Sequence, residues 1–244
     1  MKKWWIVALI IGLGLSCNKD NEPLISDLGY DYQPLDIGYW LEYQVDSVFF
    51  NDFNDPPTRD TFQYFLREYL ESEFLDLNGE TNIRVEQSIR EQQGAPWTIS
   101  HIASFKLTPI NLQKVEHDLR YVKFAFPPSV GKNWEGHIYI NVIDQPVLEY
   151  LDRNRHEWLY RFTSVNEPLT LNNFQFDSTA TIIQIDEENL FEKKFSQEIY
   201  AKNVGMVSKE MIILETQAPP SGVSFIDRAQ SGFVVKYTLT NYKQ

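Results

Sequence analysis

Four histidines are the first candidates for chemistry in this chain, because a neutral imidazole can ligate a metal ion or transfer a proton near neutral pH. They are His101, His117, His137 and His156. Residues 156–160 read HEWLY, which begins like the HExxH motif of zinc proteases, but Tyr160 occupies the place of the second histidine. One histidine cannot supply that pair of ligands, and the segment has the composition of a strand. We therefore expect no zinc site here.

Acidic side chains are the second set of candidates, since their oxygens bind calcium and paired carboxylates hydrolyse glycosidic bonds. An acidic loop contains Asp52, Asn54, Asp55 and Asp60. Pro57 and Gln63 take the places of the glycine and the terminal glutamate of an EF-hand, so we interpret it as an exposed charged loop. With 34 acidic residues some pair will lie close together in any fold, and the sequence does not indicate which.

Nucleophile and phosphate-binding motifs are missing from the sequence. No serine stands in a GxSxG elbow, and no GxG follows residue 17. We therefore assign no catalytic residue, no metal ligand and no cofactor, and the ligand-binding residues stay unknown at this stage.

The first seventeen residues, MKKWWIVALIIGLGLSC, combine two lysines with an apolar run over 4–15. That run is shorter than the roughly 20 residues that a helix needs to cross a bilayer, and the pattern is typical of a secretory signal peptide. Cys17, the only cysteine, follows at the cleavage point, and the arrangement resembles a bacterial lipoprotein signal. We expect a signal peptide over 1–16 and an acylated Cys17, with palmitate among its chains, that anchors the protein to the membrane. The alternative is an ordinary signal peptide that leaves Cys17 free or removes it.

The composition of the mature chain limits its partners and its source of stability. Removing Lys2 and Lys3 changes the net charge from −12 to −14, so we expect no nucleic acid as a partner. A single cysteine allows no intramolecular disulfide, and the 16 Phe, 13 Tyr and 6 Trp must supply much of the buried area. These aromatic residues also favour strands.

The pattern along the chain predicts an all-β, antiparallel domain over 34–244, either a sandwich or an open or closed barrel, after a flexible tether over 17–33. Residues 40–50 alternate apolar and polar side chains, and Asn78-Gly79 predicts a two-residue type I′ hairpin turn. The charged segment 187–194 is interpreted as a hairpin tip. Further strands are predicted at 62–75, 97–107, 112–116, 121–126, 136–142, 157–163, 174–185, 195–201, 206–214 and 233–241.

Two stretches of the domain are similar to each other: PLDIGYW at 34–40 and PPSVGKNW at 127–134. They indicate either two related halves, 34–126 and 127–244, or two similar entries into a strand. Two Asp-Ser pairs, at Ser47 and Ser178, resemble the short O-glycosylation signal of Bacteroidetes, but we interpret both serines as plain strand residues.

Three stretches, PLDIGYWLEYQVDS, PPSVGKNWEG and EIYAKNVGMVSKE, together with the signal resemble a family of uncharacterised Bacteroidetes lipoproteins. The resemblance implies a lipid-anchored β protein of the cell envelope, expected at the outer membrane and facing the periplasm or the cell surface. It implies no catalytic residue.

The leading hypothesis is thus a non-enzymatic lipoprotein that binds or acts as a scaffold, with an apolar small molecule or an envelope protein or glycan as partner. One version is an open barrel whose aromatic concavity holds an apolar ligand, and the other is a filled core that works through its surface. The alternative is an envelope hydrolase acting on glycans or lipids. That alternative requires a histidine that shares a pocket with acidic or hydroxyl side chains.

Overall fold

The computed structural model describes residues 27–53, 57–140, 158–217 and 222–243. The expectations for Cys17, His156, Asn54 and Asp55 concern residues outside these ranges. No helix in the described ranges has the length and apolar character needed to cross a bilayer.

The described residues form a twelve-stranded antiparallel sheet that curls into a nearly closed barrel, which confirms the predicted fold class. Strands that are consecutive in sequence pair with each other, except β6 and β7, and β1 also pairs with β12, so the sheet order is β6-β5-β4-β3-β2-β1-β12-β11-β10-β9-β8-β7. The strands are β1 Trp40–Asn51, β2 Thr58–Leu75, β3 Thr81–Arg90, β4 Thr98–Leu107, β5 Asn111–Glu116, β6 Leu119–Ala125, β7 Asn133–Glu135, β8 Leu159–Leu171, β9 Phe174–Glu188, β10 Glu192–Ala201, β11 Gly205–Glu215 and β12 Ser231–Tyr242.

The alternation in β1 shows why the sheet curls in the observed direction. Leu41, Tyr43 and Val45 are at most 1% exposed and point to the inside of the barrel. The outward Phe50 packs instead with the helix α1, Phe225–Arg228, in a small second cluster. Because successive side chains of a strand point to opposite faces, one apolar set fills the barrel and the other set faces outward.

The two edges of the sheet, β6 and β7, meet along a seam. The Val122 amide donates to the Gly136 carbonyl at 2.8 Å, and the Trp134 indole donates to the Val122 carbonyl at 2.8 Å. The strand predicted over 136–142 is wrong in its described part, because residues 136–139 form a turn. His137 is buried there against the ring of Tyr160, and this packing overrides the strand-like alternation of the sequence.

The base of the barrel is covered by residues that precede β1. A 3-10 helix, Tyr30–Tyr32, places the Tyr32 ring in the core, stacked on Phe124 at 5.2 Å between centroids. The Tyr39 hydroxyl donates to the carbonyl of Val204 at 3.0 Å. Residues 27–33, which the sequence assigns to the flexible tether, therefore pack on the barrel in the structure.

The hairpin between β2 and β3 forms at Asn78-Gly79, but its turn differs from the predicted type. The Asp76 amide donates to the Glu80 carbonyl, so three residues, 77–79, form the loop. Gly79 has φ 76°, and Asn78 is outside the positive-φ set, whereas a type I′ turn needs positive φ at both central positions. Asp76 explains the difference, since its carboxylate accepts from the amides of Asn78 and Glu80.

The two proposed halves of the chain correspond to two runs of strands. Strands β1 to β6 lie within 34–126, and β7 to β12 lie within 127–244. The seam falls between the two runs on one side of the barrel, and the β1–β12 pairing joins them on the other. An origin by duplication stays a prediction.

Candidate functional site

Six charged side chains form a layer across the inside of the barrel, which we call the ionic layer. Strands from both halves of the chain contribute them, and each stands at an inward-facing position in its strand. The members are Glu68 on β2, Lys114 and Glu116 on β5, Lys123 on β6, Glu198 on β10 and Lys209 on β11. Buried charges need partners, so the contacts within this layer decide what it can do.

Lys114 is the cation of the first group in the ionic layer. Its ammonium lies 2.6 Å from Glu68 and 3.2 Å from Glu116. The amide of Gln87 also donates to both carboxylates. The side chains of Lys114 and Glu68 are only 9% and 5% exposed, so this group is closed to solvent apart from Glu116.

Glu198 is the centre of the second group. Its side chain is fully buried, and it accepts a charged hydrogen bond from Lys123 and another, at 2.9 Å, from the Tyr200 hydroxyl. Lys123 comes from β6 and Glu198 from β10, so this pair joins two strands that are not neighbours in the sheet.

The burial and charges of the layer set its protonation. Burial raises the pKa of Glu198, but the attraction of Lys123 and Lys209 and the hydrogen bonds outweigh it, so the pKa lies below its ordinary range. The same balance, with Lys114 as the nearest cation, lowers the pKa of Glu116. Burial lowers the pKa of Lys114, but Glu116 and Glu68 outweigh it and raise the pKa overall. Both glutamates are therefore ionised at neutral pH.

Lys209 is the cation of the layer that has no carboxylate within ion-pair distance in the described ranges. Its ammonium lies 5.3 Å from the centroid of the Tyr237 ring. In the register of the sheet it pairs with Glu198 on one side and with Tyr237 on the other. Lys209 is half-buried, and Met211 follows it on the same face of β11.

The end of the barrel opposite the 3-10 helix has an apolar lining that we call the phenylalanine rim: Phe49, Phe62 and Phe233. The Phe49 ring centroid lies 6.0 Å from that of Phe62 and 6.2 Å from that of Phe233. Phe49 and Phe62 point inward but are 44% and 54% exposed, unlike the buried aromatic rings deeper in the barrel. Between the rim and the ionic layer lie Met211 and Val235, which pair across β11 and β12.

Two of the three described histidines, His101 and His117, contact each other, and His117 directly follows Glu116 of the ionic layer. His137 is 2% exposed, stacks on Trp158 at 4.8 Å and hydrogen-bonds the Tyr160 hydroxyl at 3.1 Å. Burial, aided by Lys123, lowers its pKa to about 3, so the ring is neutral. His101 and His117 are exposed and contact each other edge to face at 4.5 Å. In the described ranges no three His, Cys, Asp or Glu side chains are arranged to hold a metal ion.

The remaining candidates lie outside the barrel or in its walls. An open cleft of about 840 Å³ at the base is lined by residues that include Asp31, Asp177, Ser178 and Lys202. Ser47 and Ser178 are both strand residues, as predicted, and Ser47 is only 4% exposed.

No protein-family model matches the chain, and no curated protein matches it. Two solved structures are similar to it. One is a predicted exported protein with a YmcC-like fold from Bacteroides fragilis, 11% identical, with 86% of this chain and 98% of that chain covered and a TM-score of 0.41. The other is a predicted lipoprotein from Parabacteroides distasonis, 10% identical, with 87% and 98% covered and a TM-score of 0.36. Because both TM-scores lie below 0.5, these likenesses assign neither a family nor a function to this chain.

Proposed function

We propose that the protein is a lipid-anchored, non-enzymatic binding protein of the cell envelope, and that the mouth of the barrel is its ligand site. The observation that carries the proposal is the phenylalanine rim. Phe49 and Phe62 point into the barrel yet stay about half exposed, at the end of the barrel opposite the 3-10 helix. Apolar surface that is gathered at a concave opening is typical of a binding site.

The rim leaves apolar area in water, and a ligand that buries this area gains binding free energy. Burial of a Phe side chain contributes about 1.5–3 kcal/mol, so half-exposed rings retain a good part of this free energy for a ligand. Deeper in the barrel no such reserve exists, because Tyr43, Leu70, Leu112 and Ile182 are 0% exposed. The ligand is therefore held at the mouth, above a core that the protein's own side chains fill.

The position of the chain ends supports an anchored role for this site. The described chain begins at Asp27, next to the 3-10 helix at the base, while the rim lies at the opposite ends of β1, β2 and β12. A membrane anchor at Cys17 is attached to the base side through residues 18–26. We propose that the mouth faces away from the membrane, where a ligand can enter. We place the protein at the outer membrane on the strength of the sequence resemblance alone.

The test measures binding of an uncharged apolar dye, N-phenylnaphthylamine, by its fluorescence with the mature protein. We expect saturable binding of the dye by the parent protein. Phe62→Ala should weaken this binding by roughly fivefold or more, because it removes a ring whose exposed half the dye would otherwise bury. Phe74→Ala is the matched control, since Phe74 is 42% exposed on the same strand but near its other end. Equal binding by the two variants, or no saturable binding by the parent protein, would show that the mouth is not the site.

A further inference from the structure

The ionic layer forms the floor of the mouth, and Lys209 is its one member without an ionic partner in the described ranges. We propose that the ligand is a single-chain amphiphile with a carboxylate head, of the fatty acid class, and that its carboxylate binds the Lys209 ammonium while its chain lies against the phenylalanine rim. This inference rests on the proposed function of the mouth and adds the chemistry of the ligand.

The register of the sheet places an apolar path directly above Lys209. Two residues further along β11, Met211 pairs with Val235, and two further still Ile213 pairs with Phe233 of the rim. Side chains at alternate positions share one face of a strand, and four residues of a strand span about 14 Å. An extended alkyl chain that starts at Lys209 therefore meets apolar side chains from β11 and β12 until it reaches the rim, while Ser196 and Lys194 of β10 share that face beside Met211 and Ile213.

The hydrogen bonds of the layer explain why Lys209 is free to bind an outside anion. Glu198 already accepts from Lys123 and Tyr200, and Glu116 accepts from Lys114 and Gln87. The ammonium of Lys209 has three donors, and among the described residues it makes no ion pair with a carboxylate and lies 5.3 Å from the centroid of the Tyr237 ring. A half-buried cation with unused donors gains charge-assisted hydrogen bonds from a carboxylate.

The charge of the layer favours a monovalent head group. Three lysines face three glutamates, and both Glu116 and Glu198 are near enough for Lys209 to lower their pKa. The layer is therefore neutral without a ligand, and a carboxylate adds one negative charge beside the Lys209 ammonium. A phosphate monoester brings up to two charges to the same place, where the second would meet the two glutamates without a cation of its own.

The experiment compares head groups by displacement of N-phenylnaphthylamine from the mature protein at pH 7.5. Dodecanoate, dodecanol and dodecyl phosphate have the same chain and differ only in the head. We expect dodecanoate to bind roughly tenfold or more tightly than dodecanol, and more tightly than dodecyl phosphate. Equal displacement by dodecanoate and dodecanol overturns the role of Lys209, and tighter binding of dodecyl phosphate overturns the carboxylate.

Two variants of Lys209 and one control locate the effect. Lys209→Met should bind the dye normally and lose the preference for dodecanoate over dodecanol. Lys209→Gln replaces it in the experiment if Lys209→Met does not fold, and the same result is expected. Lys236→Met is the matched control, because Lys236 is exposed on the outer face of the neighbouring strand β12. A preference that survives in the Lys209 variants refutes the inference while dye binding still supports the proposed function. Loss of dye binding by the parent protein refutes both.

Discussion

Glu198 offers the sharpest test of the ionic layer, because its side chain is fully buried and neutralises Lys123 of β6. Glu198→Gln keeps the size of the side chain and an acceptor for Tyr200, but it removes the negative charge. Lys123, whose side chain is 10% exposed, then remains in the interior without its counter-ion. Loss of one partner of a buried pair costs about 3–5 kcal/mol. At about 2–4 °C per kcal/mol for a chain of this size, Tm should fall by about 6–20 °C.

The assay is urea and thermal unfolding, followed by circular dichroism at pH 7, of the parent, both single variants and the double variant. Lys123→Met together with Glu198→Gln removes both charges, so we expect the double variant to be more stable than Glu198→Gln alone. The reasoning is refuted if Glu198→Gln stays within about 0.5 kcal/mol of the parent. It is also refuted if the losses of the two single variants simply add in the double variant.

The pH dependence of the same variant adds an independent check. The pKa of Glu198 is lower in the folded protein than in the unfolded chain, so its ionised form stabilises the fold above the ordinary range of a glutamate. This contribution is lost as the pH falls through and below that range. The stability of Glu198→Gln should therefore fall less steeply with acid than that of the parent.

Three further variants test the anchor, the buried histidine and the seam. Cys17→Ala should move the mature protein from the membrane fraction to the soluble fraction, and a variant that stays with the membrane contradicts the lipid anchor. His137 has a pKa of about 3 when folded, below its unfolded value of about 6.5, so protonation favours unfolding as the pH falls between these values. His137→Gln should remove a slope of up to about 1.4 kcal/mol per pH unit in that window, and parallel pH profiles would contradict this. Trp134→Ala removes a ring that packs on Phe162 and donates across the seam, and it should cost on the order of 3 kcal/mol in urea unfolding. An unchanged midpoint with lost dye binding would place Trp134 in a binding site instead of the framework.

The strands could be predicted because most of them carry a clear period of two. The prediction for 40–50 differs from β1 by one residue, and the charged tip predicted over 187–194 contains the turn between β9 and β10. Alternation is a local property that the chain shows wherever one face is buried. The sequence over 136–139 predicts a strand because it alternates in the same way as the observed strands. Only the packing of His137 beneath the seam distinguishes this turn from a strand.

The ionic layer could not be predicted from the sequence. Lys114 and Glu198 stand at inward positions, where the two-residue period predicts apolar side chains, and each is charged. A charged residue in a strand is normally interpreted as facing solvent. The partners come from strands that are far apart in sequence, such as β6 and β10 for Lys123 and Glu198, so their complementarity is visible only in three dimensions.

The pairing of β1 with β12 has a consequence for how this chain folds. β1 is among the first strands to be synthesised, yet its second neighbour comprises Ser231–Tyr242, at the far end of the chain. Contacts of such large sequence separation form slowly, because a long loop must close before they bring any gain. Until then β1 presents an open edge of unpaired amides and carbonyls, which is a template for aggregation. Loss of β12 alone would leave β1 and β11 each with one unpaired edge, so a nascent or truncated chain depends on this strand to join the two runs of strands.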